Sequence, residues 1–303
     1  FRMPSLQPLT PMPFRILITG CSSGFGHDAA LHFARQGHHV FATMRDVTDT
    51  NRDVADHLRT LAEAESLQIS VYEMDVTSTD SVNAAFEQMP PVDVVINNAG
   101  VGFGGPVESF SPEQIVAQLE VNVVGPVRVA RAVLPAMRER KKGLIIQVSS
   151  TAGRAAFPGF GVYHASKWGL EGLSESLRYE LAPHGIDVVI VEPGPFSTNF
   201  FSNLIGGADA DRAAAYPHVA EFGQQFEIMV EQAFAENPDL TDPSVVVDTF
   251  EALIQMPNGE RPLRTIAGLD FGLQAINDAT EPIRKQTLDM MGIADHDGPT
   301  VAA

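Results

Sequence analysis

Tyr163 and Lys167 stand four residues apart in Tyr163-His164-Ala165-Ser166-Lys167, inside a stretch that reads as helix. That spacing puts both side chains on one helical face, with Cβ atoms about 5–6 Å apart. An ammonium beside a phenol favours the phenolate, so Lys167 is expected to draw the tyrosine pKa from about 10 toward neutrality. A tyrosine tuned in this way gives or takes a proton at working pH. The pair alone carries little weight, because roughly one chain in two of this length holds a Tyr-x-x-x-Lys by chance. Two further features raise it. Ser149-Ser150 closes an apolar, strand-like run, with Ser150 thirteen residues before Tyr163. The glycine-rich segment Thr19-Gly20-Cys21-Ser22-Ser23-Gly24-Phe25-Gly26 follows the first such run.

A strand, a glycine-rich turn and a helix form the phosphate-binding unit of dinucleotide-binding folds. Glycines let the backbone approach a diphosphate, and the helix N-terminus presents unpaired N–H groups and a partial positive charge. Ser22 and Ser23 add hydroxyl donors. A Thr-Gly-x-x-x-Gly-x-Gly pattern arises by chance in roughly 1 in 150 chains of this length. The plainer reading, a loop that merely turns tightly, does not account for its place directly after the first strand.

The elements that would position these groups alternate from residue 14 onward. Strand-like runs cover Phe14–Thr19, His39–Thr43, Ile69–Met74, Val92–Ile96, Leu144–Val148 and Ile186–Val191. Helical periodicity lies between them, with a long helix over about 112–138 and another over about 160–183. Continuous Val/Ile runs separated by helices imply a parallel sheet covered on both faces. Right-handed crossovers make it a doubly wound α/β (Rossmann) sheet of about seven strands, the last near Leu263 to Ala267. The expected organisation is an extended lead-in at 1–13, one domain over 14–270 with irregular, helical residues at 196–240, and an extension at 271–303. The four prolines of Phe1 to Pro13 argue against a signal peptide or helix there. The end, Asp295 to Ala303, is expected to be disordered.

Composition narrows the function. With 303 residues and 44% hydrophobic content, the chain can bury a large core. A formal charge of −18 argues against nucleic acid and against an anionic membrane surface as partners. Cys21 is the one cysteine, so no intrachain disulfide is possible and a cytoplasmic setting fits. No apolar run approaches bilayer-spanning length. His27, His32, His38 and His39 cluster, but without the i, i+4 spacing of a helical zinc pair. Three of them are expected on a solvated face, and no metal is expected.

Taken together, these residues resemble the short-chain dehydrogenases/reductases over about residues 14–200. Thr19 to Gly26 matches the family's glycine turn, Asn97-Asn98-Ala99-Gly100 its Asn-Asn-Ala-Gly motif, and Asn122 the asparagine of its long helix. Ser150, Tyr163 and Lys167 match its catalytic serine and Tyr-x-x-x-Lys, and Pro193-Gly194 with Thr198 its Pro-Gly segment. The Cys21-Ser22-Ser23 turn and Phe41 to Asp46 look most like the branch holding 17β-hydroxysteroid and retinol dehydrogenases. The resemblance implies hydride transfer between a nicotinamide and a carbonyl or secondary alcohol. It implies Tyr163 as general acid or base, Lys167 on the nicotinamide ribose, Ser150 on the substrate oxygen and Asn122 holding a relay water. It places Gly20, Ser22, Ser23, Gly24, Phe25 and Gly26 at the diphosphate. Asp75, Val76, Asn98, Ala99 and Gly100 would lie along the adenosine half, and Pro193, Gly194, Phe196 and Thr198 at the carboxamide.

Each residue has a plainer reading. Ser149 and Ser150 can simply end a strand, Asn122 can be satisfied within its helix, and Asp75 can cap one. Asn97 reads as a tie between strands. Cys21 reads as a space-filler more than as a reactive thiol. At the end of the second strand an acid selects NAD and an arginine accommodates the 2′-phosphate of NADP. On the family's register Met44 takes the acid's place and Arg45 follows, which favours NADP(H) over NAD(H). Asp46 lies twenty residues after Gly26, so NAD stays open. Phe157, Pro158, Phe160, Phe196, Phe200, Phe201, Tyr216, Phe222, Phe226 and Phe234 suggest an apolar pocket for a small-molecule substrate that is a bulky hydrophobic ketone or alcohol, under a lid at 196–240. Any one of these rings reads equally well as lid packing. A homodimer or homotetramer paired through the two long helices is the family default. A lyase relative or a cofactor sensor without turnover is the alternative, though the intact Tyr163, Lys167 and glycine turn speak against both.

Overall fold

The structure is a computed structural model describing residues 13–198 and 200–300. The lead-in expected at 1–13 therefore lies outside the described residues apart from Pro13. The chain runs β1 (Arg15–Thr19), α1 (Gly24–Arg35), β2 (His39–Met44), α2 (Arg52–Glu65), β3 (Ile69–Glu73), α3 (Thr79–Glu87) and β4 (Val94–Asn97). It continues through α4 (Pro112–Leu119), α5 (Gly125–Arg140), β5 (Gly143–Val148), α6 (Gly161–Leu181) and β6 (Ile186–Pro193). Then come α7 (Ala210–Ala214), α8 (Pro217–Glu236), α9 (Pro238–Thr241), α10 (Ser244–Gln255), β7 (Arg264–Ala267) and α11 (Gln274–Met291).

The seven strands form one parallel sheet in the order β3-β2-β1-β4-β5-β6-β7. Alternate strand residues feed two cores, because successive side chains point to opposite faces. Ile16, Ile18, Val40, Ala42, Ile96 and Ile146 pack with Phe33 of α1, Leu58 of α2 and Phe250 of α10. Leu17, Phe41, Val95, Ile145 and Val188 pack with Val82 of α3, Val129 and Val133 of α5 and Leu181 of α6. The strand order reverses direction between β1 and β4. In such sheets ligands bind outside the carboxyl ends of the strands at that switch point.

Two elements differ from the sequence expectation. The long helix over 112–138 is broken into α4 and α5 by a π-helical turn, Glu120–Val124. Pro126 lacks the N–H that an α-helix would direct at the Asn122 carbonyl, so the regular ladder cannot run through this point. Beyond 270, the extension forms a helix, α11, tied by side-chain bonds to the loop after β5, to β6 and to α6. Its Asn277 bonds Arg154 and Glu192, and Asp297 pairs with Arg178 and Arg284. Disorder from Asp295 is thus not what the structure shows through residue 300.

Candidate active site

The glycine turn sits where β1 meets β4. Gly20 has φ +73°, and a Cβ there would lie 2.8 Å from Ala99 Cα. A Cβ on Gly26 would lie 2.5 Å from both Asn98 Nδ2 and the Gly20 carbonyl. Asn98 Nδ2 donates to the carbonyls of Thr19 (2.9 Å) and Gly20 (3.2 Å), while Thr19 Oγ1 accepts from the N–H groups of Asn98 and Ala99. The turn is therefore bolted to the Asn98-Ala99-Gly100 segment, and the Asn98 side chain shapes the cradle. Gly24, by contrast, has φ +57° and opens onto free space. Ser23 is the N-cap of α1 without a side-chain cap bond, which leaves the first N–H groups of α1 toward that space. A diphosphate fits this donor set. Cys21 is fully buried, donates to the Ile18 carbonyl, and burial pushes its thiol up to about 12, as a space-filler requires.

Further along the same edge, Ser149 and Ser150 follow the end of β5, and the start of α6 carries Tyr163 and Lys167. Tyr163 is 8% exposed and Lys167 7%. Lys167 Nζ donates to the Val148 carbonyl at 2.9 Å and lies 5.7 Å from the Tyr163 ring centre. Ser150 Oγ accepts from the Ala152 N–H and stands 3.4 Å from the Pro193 carbonyl. Burial pushes the Tyr163 phenol up to about 12, with a smaller opposing pull from its hydrogen bond with Ser150. Burial likewise draws the Lys167 ammonium down to about 8, with Glu171 opposing. Tyr163 therefore shifts opposite to the lowering expected from its lysine neighbour: removing a phenolate from water is the largest cause, and the opposing pull comes from Ser150.

Asn122 comes to the site from the π-helical turn. Its Oδ1 accepts from the Val101 N–H, and its Nδ2 donates to the Val101 carbonyl and Ser166 Oγ, each at 3.0 Å. Its side-chain amide is fully engaged, so this half of the plainer reading holds. It is still part of the cluster: a Cβ on Gly100 would lie 3.4 Å from Asn122 Oδ1 and 3.9 Å from Lys167 Nζ. Asn97 donates to Gln147 Oε1 across β4 and β5, the strand tie expected of it. Asp75 accepts from Thr77 N–H and Oγ1, and Ser78 is the side chain that caps α3. Val76 is buried against Gly125. A Cβ on Gly194 would meet the Leu269 carbonyl at 1.9 Å, so Pro193-Gly194 leads tightly into Phe196 and Thr198. Phe196 is buried and meets Phe25 edge-on at 5.3 Å.

At the end of β2, Thr43 is level with Thr19, which brings Met44 alongside Gly20. Met44 is buried, whereas Arg45 and Asp46 are both exposed. The Arg45 guanidinium has no hydrogen-bond or ion-pair partner among the described residues. Asn51 fixes the bend by donating to the Arg45 carbonyl.

The rings expected to line an apolar pocket pack largely on one another. Phe200 lies 5.2 Å from Tyr163, Phe201 6.3 Å from Phe226, and Phe226 5.1 Å from Phe157. Leu204 and Phe200 press on Gly102, and Ile205 bridges Phe103. An open surface pocket of about 450 Å³ is lined by Trp168, Glu171, Glu175 and Arg264 and by none of the catalytic candidates. Sequence reasoning missed His164. Buried beside Tyr163, its Nδ1 is 2.8 Å from the Ala152 carbonyl and its Nε2 accepts from the Phe157 N–H. A neutral imidazole thereby staples the loop between Ser150 and the Phe157–Phe160 wall. A lone imidazole inside an otherwise apolar and small-residue motif was the available signal.

The four clustered histidines are half-buried, not solvated: His38 packs on Phe14 and Phe33, and His39 on Phe41. Burial is the leading cause that lowers both His38 and His39 from their ordinary value. No helix among the described residues is long and apolar enough to cross a membrane.

Comparison with known proteins places this geometry in context. The short chain dehydrogenase family model matches residues 15–207. Human 17-beta-hydroxysteroid dehydrogenase type 1 is 34% identical over 247 residues, covering 80% of this chain and 74% of the relative. Bovine retinol dehydrogenase 8 is 40% identical over 199 residues, 64% of this chain and 62% of the relative. Among solved structures, an actinorhodin polyketide ketoreductase variant with NADPH superposes with a TM-score of 0.67 at 28% identity, covering 86% and 97% of the two chains.

Proposed function

We propose, for a chain that belongs to the short-chain dehydrogenase/reductase family and is an oxidoreductase acting on CH–OH and C=O groups, that it reduces a hydrophobic ketone with NADPH. The observation that carries this reading is the convergence of Ser150, Tyr163, Lys167 and Asn122 beside the glycine turn at one strand edge. The family uses NAD(P), and when bound the nicotinamide supplies or takes up the hydride. Ser150 holds the substrate oxygen, and Tyr163 delivers the proton as charge develops on it. Burial keeps that phenol protonated at neutral pH, the form that reduction consumes. Lys167 offers its ammonium to the ribose and to Tyr163, and Asn122 with Gly100 frames the way back to solvent for the replacement proton.

Arg45 is our proposed 2′-phosphate ligand, since it is exposed, unpaired among the described residues, and set at the β2 end level with the glycine turn. Asp46, exposed beside it with φ 51°, favours a second reading, an NAD-dependent alcohol dehydrogenase. The hydrophobic substrate class rests on Phe200 beside Tyr163 and on the steroid and retinol named for the two relatives. The unit responsible is proposed to be residues 14–270, with 196–240 as a lid, in a cytoplasmic setting. We also propose a homodimer or homotetramer through α4–α5 and α6, where Val116 (60%), Val124 (36%) and Trp168 (51%) are exposed. Light scattering that returns the mass of a single chain removes that assembly.

The test is oxidation of NADPH and of NADH with a panel of bulky ketones and small aldehydes, with Arg45→Ala alongside. NADPH preference that falls at least about tenfold in Arg45→Ala supports the reading. An NADH preference unmoved by Arg45→Ala transfers the ribose to Asp46. Turnover of small polar carbonyls alone sinks the hydrophobic substrate.

A further inference from the structure

We infer that His32 of α1 and Asp248 and Glu251 of α10 form a divalent transition-metal site that clamps the two helices together. One donor atom from each, a ring nitrogen and two carboxylate oxygens, lie within 4.8 Å of one another. Asp248 and Glu251 share a helical face at i, i+3. His32 Nε2 and Glu251 Oε2 are 2.7 Å apart. Two metal–ligand bonds of about 2.0–2.1 Å at a tetrahedral angle put donors about 3.3 Å apart, so seating an ion needs an opening of about half an ångström.

The surroundings hold these donors in place. Gln255 Nε2 donates to Glu251 Oε1 at 2.6 Å, which leaves Oε2 on the His32 side. Hydrogen-bonded carboxylates of this kind orient a metal ligand. Beneath them α1 and α10 meet through buried Ala30, Phe33, Val247 and Phe250, so the two ligand-bearing backbones are fixed relative to each other. Gln36 also approaches, its Nε2 lying 3.1 Å from His32 Nε2. An imidazole with two carboxylates suits zinc, manganese, cobalt or nickel better than magnesium or calcium, and three protein ligands leave a position for water. The expectation of no metal weighed histidine pairs within one helix. These ligands come from two helices, with His32 and Glu251 219 residues apart. His32 lies eight residues along α1 from Gly24, about 12 Å from the end that faces the glycine turn, so the site is a structural clamp apart from the chemistry.

The experiment uses untagged, chelator-stripped protein titrated with Zn2+ against a chromophoric chelator. One equivalent is expected to bind to the wild type and none to His32→Ala or Asp248→Ala. At free Zn2+ about tenfold above the dissociation constant, Tm should rise by about 3 °C in the wild type and stay put in both variants. Asp248 is exposed and takes no side-chain hydrogen bond among the described residues, so Asp248→Ala decides the matter if His32→Ala does not fold. No stoichiometric uptake, or equal uptake by wild type and Asp248→Ala, overturns the site and leaves His32–Glu251 a simple hydrogen-bonded pair.

Discussion

Tyr163 and Lys167 illustrate how a motif states chemistry without stating its energetics. Spacing alone predicted that they share a face, and they do. It could not weigh burial, which here moves the phenol up and the ammonium down. The consequences are testable. Tyr163→Phe should cut turnover by at least about 10²-fold while NADPH binding, followed by cofactor fluorescence, stays within a few-fold. Retained turnover would overturn the assignment. Lys167 carries its charge below about 8 and loses it above, whereas Tyr163 remains protonated throughout that range. Reductive kcat/KM should therefore fall as pH rises through about 8. A profile flat to about pH 10 would mean that the ammonium is not required. His164 belongs to the same scale: its role depends on two backbone partners that no spacing rule names.

At the scale of elements, the strand-turn-helix unit β1–α1 was legible because each glycine answers a steric demand. Those demands differ along the turn. Gly26→Ala places a methyl against the Gly20 carbonyl and the Asn98 amide, so backbone must shift. It should weaken cofactor binding by at least about tenfold and lower Tm. Gly24→Ala meets no atom but adopts φ +57°, a strain of about 1 kcal/mol. A titration in which Gly24→Ala is the worse of the two would mean that packing does not set the turn. The π-helical turn at Glu120–Val124 was not legible, since periodicity carried the apolar pattern through it. Pro126 was the clue, because it removes a donor inside an otherwise helical pattern.

The whole molecule is tied by charges whose partners are remote in the chain. Asp187 at the start of β6 is fully buried and pairs with Arg178 (2.7 Å) and Arg261 (3.1 Å). Arg178 also reaches Asp297, which Arg284 pairs from α11. Burial pushes the Asp297 carboxyl up, but Arg284 and Arg178 outweigh it and hold it below its ordinary value. Asp187→Ala leaves the buried Arg261 guanidinium without its carboxylate and Arg178 with Asp297 alone, and should cost about 3–5 kcal/mol of stability by chemical denaturation. Asp297→Ala should cost less, because Arg178 keeps Asp187. Equal losses would show that the terminal segment is as integral to the fold as β6.

The order of strands and helices, the parallel sheet and the proposed nucleotide-binding edge follow from sequence alone, since hydrophobic period, glycine placement and motif spacing are local properties. Strand and helix positions agree with the structure to within a few residues from Phe14 to Ala267. Tertiary structure decided what depends on distance and dielectric: the direction of the Tyr163 and Lys167 shifts, the commitment of the Asn122 and Asn98 amides, and the packing of the aromatic rings onto one another. It also decided the ties of α11 to Arg154, Glu192 and Tyr179 and the meeting of His32 with Glu251. Each of these joins residues far apart in the chain, and burial, which sets their energies, exists only once the chain has folded.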